Sequence, residues 1–259
     1  MKLKLVVCFC LVEIVGIFGK SARIIGGENA DIKEFPYVVS LAMLNVEKHF
    51  CGGTIISNWH ILTAAHCVAE RDYASIRIYM GNSNLQDSKD NSYGIMTVVI
   101  HPQFKNDIRN DIAVIMLDRC IIFNEFQNKI NLPTKDVKAG SVGVITGWGR
   151  TNVNILKPAD VLQKASTKIL SNSECHKSLK MSIMELMCVF ERKGIGACYG
   201  DSGSPLVSNG EFVGIGARVF DCAVGIPDIY TRVYPYVDFI KSIFTISKLL
   251  TCTADTGII

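Results

Sequence analysis

The sequence has no apolar run beyond its N-terminus that is long enough to span a bilayer, so we expect no membrane-embedded segment in the folded part. It also has no cluster of lysine and arginine dense enough to follow a phosphate backbone, which disfavours a nucleic-acid partner. Internal repeats, low-complexity tracts and N-glycosylation sequons are absent as well. The 259 residues, 49% of them hydrophobic, suffice for one large domain or two compact halves.

The long apolar stretch at the start of the chain has the features of a secretory signal. Two lysines precede an apolar run from Leu5 to Phe18, and Gly19 is a small residue suited to cleavage. Glu13 interrupts the run, which disfavours a retained membrane anchor. We therefore interpret residues 1–19 as a signal peptide and expect a secreted, extracellular protein.

The formal net charge of +3 comes from this same end of the chain. Residues 1–23 hold four basic residues and one acidic residue, so the remainder is close to neutral. A neutral exported chain gives no electrostatic reason to expect binding to nucleic acid.

The cysteine count supports export. Two of the ten cysteines lie in the signal peptide, and an even number remains, which indicates disulfides, although about 105 pairings are possible. A zinc site is the alternative, but no Cys-x-x-Cys pair follows the signal, and the adjacent His66 and Cys67 have the wrong spacing for a paired ligand set. We expect no metal. The cysteines of the exported chain are Cys51, Cys67, Cys120, Cys175, Cys188, Cys198, Cys222 and Cys252.

Short segments rich in Val, Ile and Tyr, separated by turn residues, dominate the sequence. Many short strands at this spacing predict a sandwich or closed barrels rather than alternating βα units. One segment has a clear helical pattern, in which apolar residues recur from Val237 to Phe244, so we predict a C-terminal helix docked on the sheets. The predicted strands are 37–44, 75–80, 95–100, 111–117, 141–147 and 211–219.

The stretch YGDSGSPLV (199–207) surrounds Ser202 with small residues. Gly200 and Gly203 let the backbone turn sharply, which exposes the hydroxyl and aims nearby N–H groups at a developing oxyanion. A plain Gly/Ser turn between strands is the alternative. Ser204 stands where a second glycine would be expected. Ser202 is therefore a candidate nucleophile in a slightly altered motif.

A serine nucleophile needs a base, usually histidine, that a carboxylate orients. An α/β-hydrolase elbow is excluded, because Ser204 breaks the G-x-S-x-G pattern and no histidine follows His176. Among the five histidines, His66 is distinguished because it ends the apolar stretch ILTAAHC beside a cysteine. Asp111 opens the apolar run DIAVIML, where burying a carboxylate is costly unless a partner uses it. We expect the other histidines, His49, His60, His101 and His176, to be surface or hydrogen-bonded structural residues.

Further motifs accompany these residues in a recognisable order: IIGG (24–27), HFCGGT (49–54), LTAAHC (62–67), DIAVIML (111–117), GWGR (147–150), GDSG (200–203) and PDIYTRV (227–233). Together they resemble the secreted trypsin/chymotrypsin-type serine endopeptidases over essentially all of residues 24–247. The segment KGIGACYGDSG (193–203) is most similar to insect chymotrypsin-like digestive and venom enzymes.

The resemblance implies an all-β fold of two packed antiparallel Greek-key β-barrels with a C-terminal helix. Residues 24–130 would form the half that carries His66 and Asp111. Residues 131–259 would form the half that carries Ser202, the helix and the tail. The expected partners are protein or peptide substrates, an activating trypsin-like protease and protease inhibitors, with no cofactor and a monomeric chain.

The resemblance also assigns roles. His66 would act as general base and then acid, Asp111 would orient it, and Ser202 would attack the peptide carbonyl. The backbone N–H groups of Gly200 and Ser202 would form the oxyanion hole.

An activation switch follows from the resemblance in the same way. KSAR (20–23) precedes IIGG, so cleavage after Arg23 would free the amine of Ile24 to pair with Asp201. Residues 20–23 would then be an activation propeptide of an inactive precursor.

The family's disulfides would be Cys51–Cys67, Cys175–Cys188 and Cys198–Cys222. Cys120 and Cys252 do not match the common pairs. We hypothesise that they bond to each other and fasten the C-terminal tail to the first half.

The specificity pocket departs from the family's pattern. Gly196 stands at the floor, where trypsin-like enzymes have an aspartate, which disfavours a simple trypsin. Asp228 replaces a wall glycine, and it either places a negative charge deep in the pocket or hydrogen-bonds within it. Ala217, Arg218 and Val219 replace the family's Ser-Trp-Gly wall, and Val219 should narrow the entrance. We predict cleavage after small or medium apolar residues, with aromatic residues second.

Other functions stay open. Ser204 and the altered wall favour a regulatory protease homologue with negligible turnover, whereas the retained His66, Asp111 and Ser202 favour an active enzyme. A venom component that acts mainly by binding host proteins is a third possibility. We expect no calcium in the loop 82–92, because Asn82 replaces the family's first acidic ligand.

Overall fold

The structure is a computed structural model that describes residues 24–88, 92–180 and 184–247, together with Cys252. The predicted signal peptide (1–19) and propeptide (20–23) lie outside the described residues, as does most of the C-terminal tail. No helix within the described part is long and apolar enough to cross a membrane.

Short strands account for most of the regular structure, and each of the six predicted strands overlaps an observed one. The strands are β1 (Glu28–Asn29), β2 (Val38–Met43), β3 (Lys48–Ile55), β4 (His60–Thr63), β5 (Ile76–Tyr79), β6 (Ser92–Tyr93), β7 (Ile95–Ile100), β8 (Ala113–Leu117), β9 (Val142–Gly147), β10 (Gln163–Ile169), β11 (Leu186–Phe190), β12 (Pro205–Ser208), β13 (Glu211–Arg218) and β14 (Asp228–Arg232).

The first barrel is a seven-stranded antiparallel sheet in the spatial order β6-β5-β2-β3-β4-β8-β7. Among the described residues no pairing joins β6 to β7, so the sheet is nearly rather than fully closed. Its interior is filled by β-branched and other aliphatic side chains from β2, β4, β5 and β8, which are buried almost completely. This packing supplies the rigid frame from which the loops after β4 and before β8 project.

The second barrel contains the remaining seven strands in the order β1-β10-β11-β14-β13-β12-β9, and a further β9–β10 pairing closes it. Strand β1 comes from the N-terminal half, yet Glu28 pairs with Lys164 of β10. The start of the chain therefore crosses to the second barrel before the first barrel begins. The predicted all-β fold of two antiparallel barrels is confirmed.

The C-terminal helix α2 (Val237–Ser247) forms where the apolar periodicity predicted it. Ile240 and Ile243 are buried in the same cluster as the first-barrel core. The ring of Phe244 lies 4.9 Å from that of His60, and the ring of Phe239 lies 4.9 Å from that of His101. The helix thus follows the second barrel in sequence but packs on the first.

A second helix, α1 (Asn172–Leu179), was not expected from the apolar pattern, because none of its residues is buried. Its start is stabilised by a capping box in which Ser171 accepts from the N–H of Glu174, and the Glu174 side chain accepts from the N–H of Ser171. The Ser-x-x-Glu spacing is the sequence signal that predicts it.

Candidate active site

His66 is held at the surface between the two barrels by covalent and local structure. It lies in a single 3₁₀ turn (Ala65–Cys67) directly after β4. The neighbouring Cys67 is bonded to Cys51 of β3, which limits movement of the turn. The imidazole keeps 37% of its side-chain surface exposed, so a substrate can reach it.

Asp111 is buried and makes two hydrogen bonds to the same histidine. Its Oδ1 accepts from the His66 backbone N–H over 2.9 Å, and its Oδ2 accepts from His66 Nδ1 over 2.6 Å. A carboxylate can only accept, so Nδ1 carries the proton and Nε2 is left as the acceptor of a neutral ring. Thr231 Oγ1 donates to the Asp111 carbonyl and anchors the acid to the second barrel.

Ser202 is anchored to the strand that carries the disulfide next to His66. Its carbonyl accepts from the Gly52 N–H over 2.7 Å, and Gly52 follows Cys51 directly. Gly203 has φ +79°, and a Cβ there would collide with the Gly52 carbonyl and the Thr63 hydroxyl. The turn therefore requires glycine at this position.

The nucleophile and base are not joined by a hydrogen bond. Within the described residues Ser202 Oγ makes none, and His66 Nε2 lies 3.8 Å from Cys67 Sγ. Such contacts often tighten only when substrate binds.

His49 binds the backbone carbonyl of Gly200, the other expected oxyanion donor. The imidazole Nε2 donates to the Gly200 carbonyl over 2.9 Å, and Nδ1 accepts from Ser40 Oγ at 2.7 Å. Burial lowers the pKa of His49 to about 4, so this ring is neutral at physiological pH. Sequence reasoning classed His49 only as a structural residue, because its partner is 151 positions away.

Asp201 is buried directly before the nucleophile. Oδ1 accepts from the Gly149 N–H over 2.8 Å, and Oδ2 accepts from the Cys198 N–H over 2.9 Å. Burial raises the pKa of Asp201 to about 6, although both hydrogen bonds oppose that shift. A Cβ on Gly147 or Gly149 would collide with this carboxylate, so glycine makes room for it at both positions.

Ile24 lies in the body of the second barrel. It is 1% exposed and packs in a cluster with Ile145 and Ala197, and the carbonyl of Ile25 accepts from the Gly196 N–H over 3.0 Å. Its φ of +38° is unusual for a β-branched residue, whose backbone normally avoids that region. Arg23 lies outside the described residues.

Two of the expected pocket residues, Gly196 and Asp228, lie side by side, close in sequence to the Cys198–Cys222 disulfide. Asp228 Oδ2 accepts from the Ala197 N–H over 2.8 Å, and the carboxyl group lies beside Gly196. Burial, and the negative charge of Asp201, raise the pKa of Asp228 to about 7.

The altered wall residues point in different directions. Ala217 packs in a small cluster with Ile229, whereas Val219 packs against the core of the second barrel. Arg218 is exposed, and its guanidinium lies 5.8 Å from the centre of the Phe220 ring. Its charge is therefore placed over an aromatic neighbour.

Several known proteins are similar to this chain in sequence. Residues 24–240 match the Trypsin family. The chain belongs to the trypsin family. It is 38% identical to chymotrypsin-2 of Vespa crabro over 224 residues, which cover 84% of this chain and 98% of that protein. It is 36% identical to trypsin I-P1 of Gallus gallus over 226 residues, 85% of this chain and 88% of the other. It is 33% identical to serine protease 1 of Homo sapiens over 244 residues, 92% and 96% of the two chains.

Membership of the trypsin family makes the chain a serine endopeptidase, a hydrolase of protein substrates. Ser204 stands where the sequence motif led us to expect a glycine. Its side chain is buried, and within the described part of the chain its hydroxyl has no hydrogen-bond partner. A Cβ on Gly52 would collide with that hydroxyl, so Ser204 fits only because glycine lies opposite it.

The eight cysteines within the described residues are paired in four disulfides: Cys51–Cys67, Cys120–Cys252, Cys175–Cys188 and Cys198–Cys222. Cys51, His66 and Cys67 place their potential ligand atoms within 4.8 Å of one another. The two sulfurs share a disulfide, so neither is a thiolate and the group does not suit a metal. In the loop 82–92, where we expect no calcium, Asn82 Oδ1 accepts from the N–H of Asn84. Asp90 of this loop lies outside the described residues.

Proposed function

We propose that this trypsin-family chain is a secreted endopeptidase that cleaves peptide bonds through an acyl-enzyme on Ser202. The observation that carries the proposal is the pair of hydrogen bonds from His66 to the buried Asp111 carboxylate. These bonds fix the tautomer and the orientation of the imidazole that a serine nucleophile needs.

The proposed reaction begins when Ser202 Oγ attacks the substrate carbonyl carbon and His66 Nε2 takes the hydroxyl proton. Asp111 stabilises the imidazolium that forms, and the N–H groups of Gly200 and Ser202 stabilise the oxyanion. His66 then gives the proton to the leaving amine, and the peptide bond breaks. A water molecule, activated by the same histidine, hydrolyses the ester and regenerates Ser202.

We also propose that the enzyme is made as a precursor and activated by a trypsin-like protease that cleaves after Arg23. The proposal is supported by the burial of Ile24 and of Asp201. Burial raises the pKa of Asp201 to about 6, so its charged form lacks stabilisation that a new ammonium would supply. Neutralising a buried carboxylate stabilises the turn that carries Gly200 and Ser202. Extracellular action, a monomeric state and control by protease inhibitors complete the proposal.

The proposed substrate preference is for small or medium apolar side chains before the scissile bond. It is supported by the absence of an acid at Gly196 and by Val219, which packs against the core that includes Ala197. Profiling with a peptide library tests it. A profile dominated by arginine or lysine before the scissile bond contradicts the preference.

A weakly active regulatory homologue, in gut, haemolymph or venom, is the second candidate. Two observations favour it. Ser202 Oγ makes no hydrogen bond among the described residues, and the side chain of Asp111 is bound only by His66 there. Ala217 provides no hydroxyl that could support the carboxylate.

Labelling with a serine-directed fluorophosphonate separates the two candidates. The precursor is cleaved after Arg23, and the processed chain is compared with an uncleavable Arg23→Gln variant and with Ser202→Ala. The active enzyme predicts stoichiometric labelling of the processed wild type alone. Correctly processed protein that takes no label supports the homologue instead.

A further inference from the structure

A cavity of about 360 Å³ is lined by Ser40 and His49, the hydrogen-bonded pair that binds the Gly200 carbonyl. Three segments surround it: the β2–β3 hairpin, the 3₁₀ turn that begins at Leu85, and the loop residues 156–160. The Leu85 N–H donates to the Asp160 carbonyl over 2.9 Å, which joins two of these segments. The proposed reaction makes no use of this cavity.

Small side chains in two of these segments leave the space open. Ala42 on β2 and Ala159 in the loop both line the cavity, and both are more than nine-tenths buried. The register of the β2–β3 pair shifts between Leu41 and Ala42, so that Ala42 pairs with His49. Because each alanine contributes only a methyl group, neither segment fills the space between them.

Large apolar side chains border the cavity and remain exposed to solvent. Val46, in the turn between β2 and β3, is 62% exposed, and Leu156 is 71% exposed. Grouped apolar side chains that stay exposed often mark a binding site. A ligand that covered both residues would be stabilised by removing their apolar surface from water.

The polar groups around the cavity are paired or balanced in charge. Lys157 Nζ lies 2.7 Å from an Asp160 carboxylate oxygen, and Ser40 Oγ is bonded to His49 Nδ1. In the described part of the chain, no residue lining this cavity has a buried side-chain atom without a hydrogen-bond partner. A charged ligand would therefore find no net counter-charge, whereas an uncharged apolar ligand leaves no polar group unpaired. The charged residues of the lining, whose charges sum to zero, are Glu47, Lys48, Lys157 and Asp160.

We propose that this cavity binds an uncharged, largely apolar aromatic molecule, and that its occupancy raises the activity of Ser202 through His49 and Gly200. Tyr79 and His49 contribute rings to the lining, against which an aromatic ligand can pack. The ligand would exclude water from the hydrogen bond between His49 and Gly200, which strengthens that bond. The Gly200 N–H would then be held more firmly for the oxyanion. The effect on activity rests on the proposed function, whereas the binding does not.

Fluorescence titration with N-phenyl-1-naphthylamine, an uncharged aromatic probe, tests the binding. The protein is processed Ser202→Ala, so the result does not depend on cleavage. We expect saturable binding that Leu156→Asp weakens by about tenfold or more, because it places a charge at the apolar border. Val46→Asp, on the hairpin side, should act in the same way, and it replaces Leu156→Asp if that variant does not fold.

Met184→Asp is the matched control for these substitutions. Met184 is also a large apolar side chain, 80% exposed, and it does not line the cavity. This variant should bind the probe as tightly as its parent. Absence of saturable binding, or equal affinities in the cavity variants and the control, overturns the proposal.

A charged analogue of the probe tests the class of ligand. 8-Anilino-1-naphthalenesulfonate has the same rings and adds one sulfonate group. Because the charges of the lining sum to zero, we expect it to bind about tenfold more weakly than the uncharged probe. Equal or tighter binding of the sulfonate overturns the assignment of an uncharged ligand.

Hydrogen exchange separates failure of the coupling from failure of the proposed function. In processed Ser202→Ala, saturating N-phenyl-1-naphthylamine should slow exchange in the segment 199–203 by about fivefold or more. In the processed wild type, the probe should raise kcat for a peptide substrate with little change in KM. Slower exchange supports the coupling even if the wild type cleaves no peptide. Unchanged exchange overturns the coupling even if the wild type is an active endopeptidase.

Discussion

His49 donates a hydrogen bond from Nε2 to the carbonyl oxygen of Gly200 over 2.9 Å, and through it β3 supports the turn before Ser202. Replacing His49 with alanine would leave that carbonyl and the Ser40 hydroxyl without their shared partner. Because Gly200 is a proposed oxyanion donor, we expect kcat to fall by about tenfold or more with little change in KM. His176→Ala, on the exposed face of α1, is the control and should leave both unchanged.

The same histidine should make stability depend on pH. The folded state holds it neutral with a pKa of about 4, whereas the unfolded chain takes up a proton near the ordinary value of 6.5. The contribution of His49 to the free energy of unfolding is therefore complete above pH 6.5. It falls as the pH drops towards 4, by roughly 3 kcal/mol at most.

Urea unfolding of the wild type and of His49→Gln at either end of this range isolates the effect from other groups. The wild type should lose more stability than the variant between high and low pH. Equal losses would contradict the assignment of a buried, neutral His49.

How much of the fold was predictable depends on where apolar residues lie. The six predicted strands alternate or cluster β-branched residues, and all were found. Strand β10 was missed because its buried positions include Gln163 and Thr167, which hydrophobic periodicity does not detect. The helix α1 was missed for the opposite reason, because it buries nothing and depends on its capping box.

The candidate site likewise contains residues that the sequence predicts and residues whose roles only the structure shows. Local motifs were enough to identify His66, Asp111 and Ser202 as candidates, because each lies in a short pattern that chemistry restricts. The role of His49 depends on a contact 151 residues away, which no local pattern encodes. The unpaired oxygens of Ser204 and Asp228 depend on the packing of distant segments, so only the structure reveals them.

Ser204→Ala should stabilise the protein. The serine is 1% exposed, and its hydroxyl has no hydrogen-bond partner among the described residues. On folding, this hydroxyl therefore loses its hydrogen bonds to water and gains none in exchange. Removing it should raise the free energy of unfolding by about 1 kcal/mol, measured by urea denaturation. Ser208→Ala is the matched control, because that serine is 3% exposed but donates to the Val142 carbonyl over 2.7 Å. The control should lose stability, and a loss in both variants would contradict the prediction.

Cleavage after Arg23 should change stability in a pH-dependent way. In the uncleaved chain the pKa of Asp201 is raised from 3.8 to about 6, so its contribution to stability is lost as the pH rises through this window. The ammonium of Ile24 would pair with the ionised carboxylate and remove that loss. In thermal unfolding, the melting temperature of the processed chain should therefore rise relative to that of Arg23→Gln as the pH rises from about 4.5 to about 7. A difference independent of pH would exclude pairing with Asp201.

The disulfide between Cys120 and Cys252 should stabilise the attachment of the C-terminal segment. It joins residues 132 positions apart and connects the chain after α2 to the loop that follows β8. Crosslinks across long loops restrict the unfolded chain, so Cys120→Ala with Cys252→Ala should lower the free energy of unfolding by about 2–4 kcal/mol.

Neither cysteine contacts His66, Asp111 or Ser202 among the described residues, so fluorophosphonate labelling of the folded variant should be retained. Hydrogen exchange should show the loss of protection concentrated in α2, where Phe239 and Phe244 cover His101 and His60. Unchanged stability, or a free thiol on either cysteine in peptide mapping of the wild type, would rule out this role.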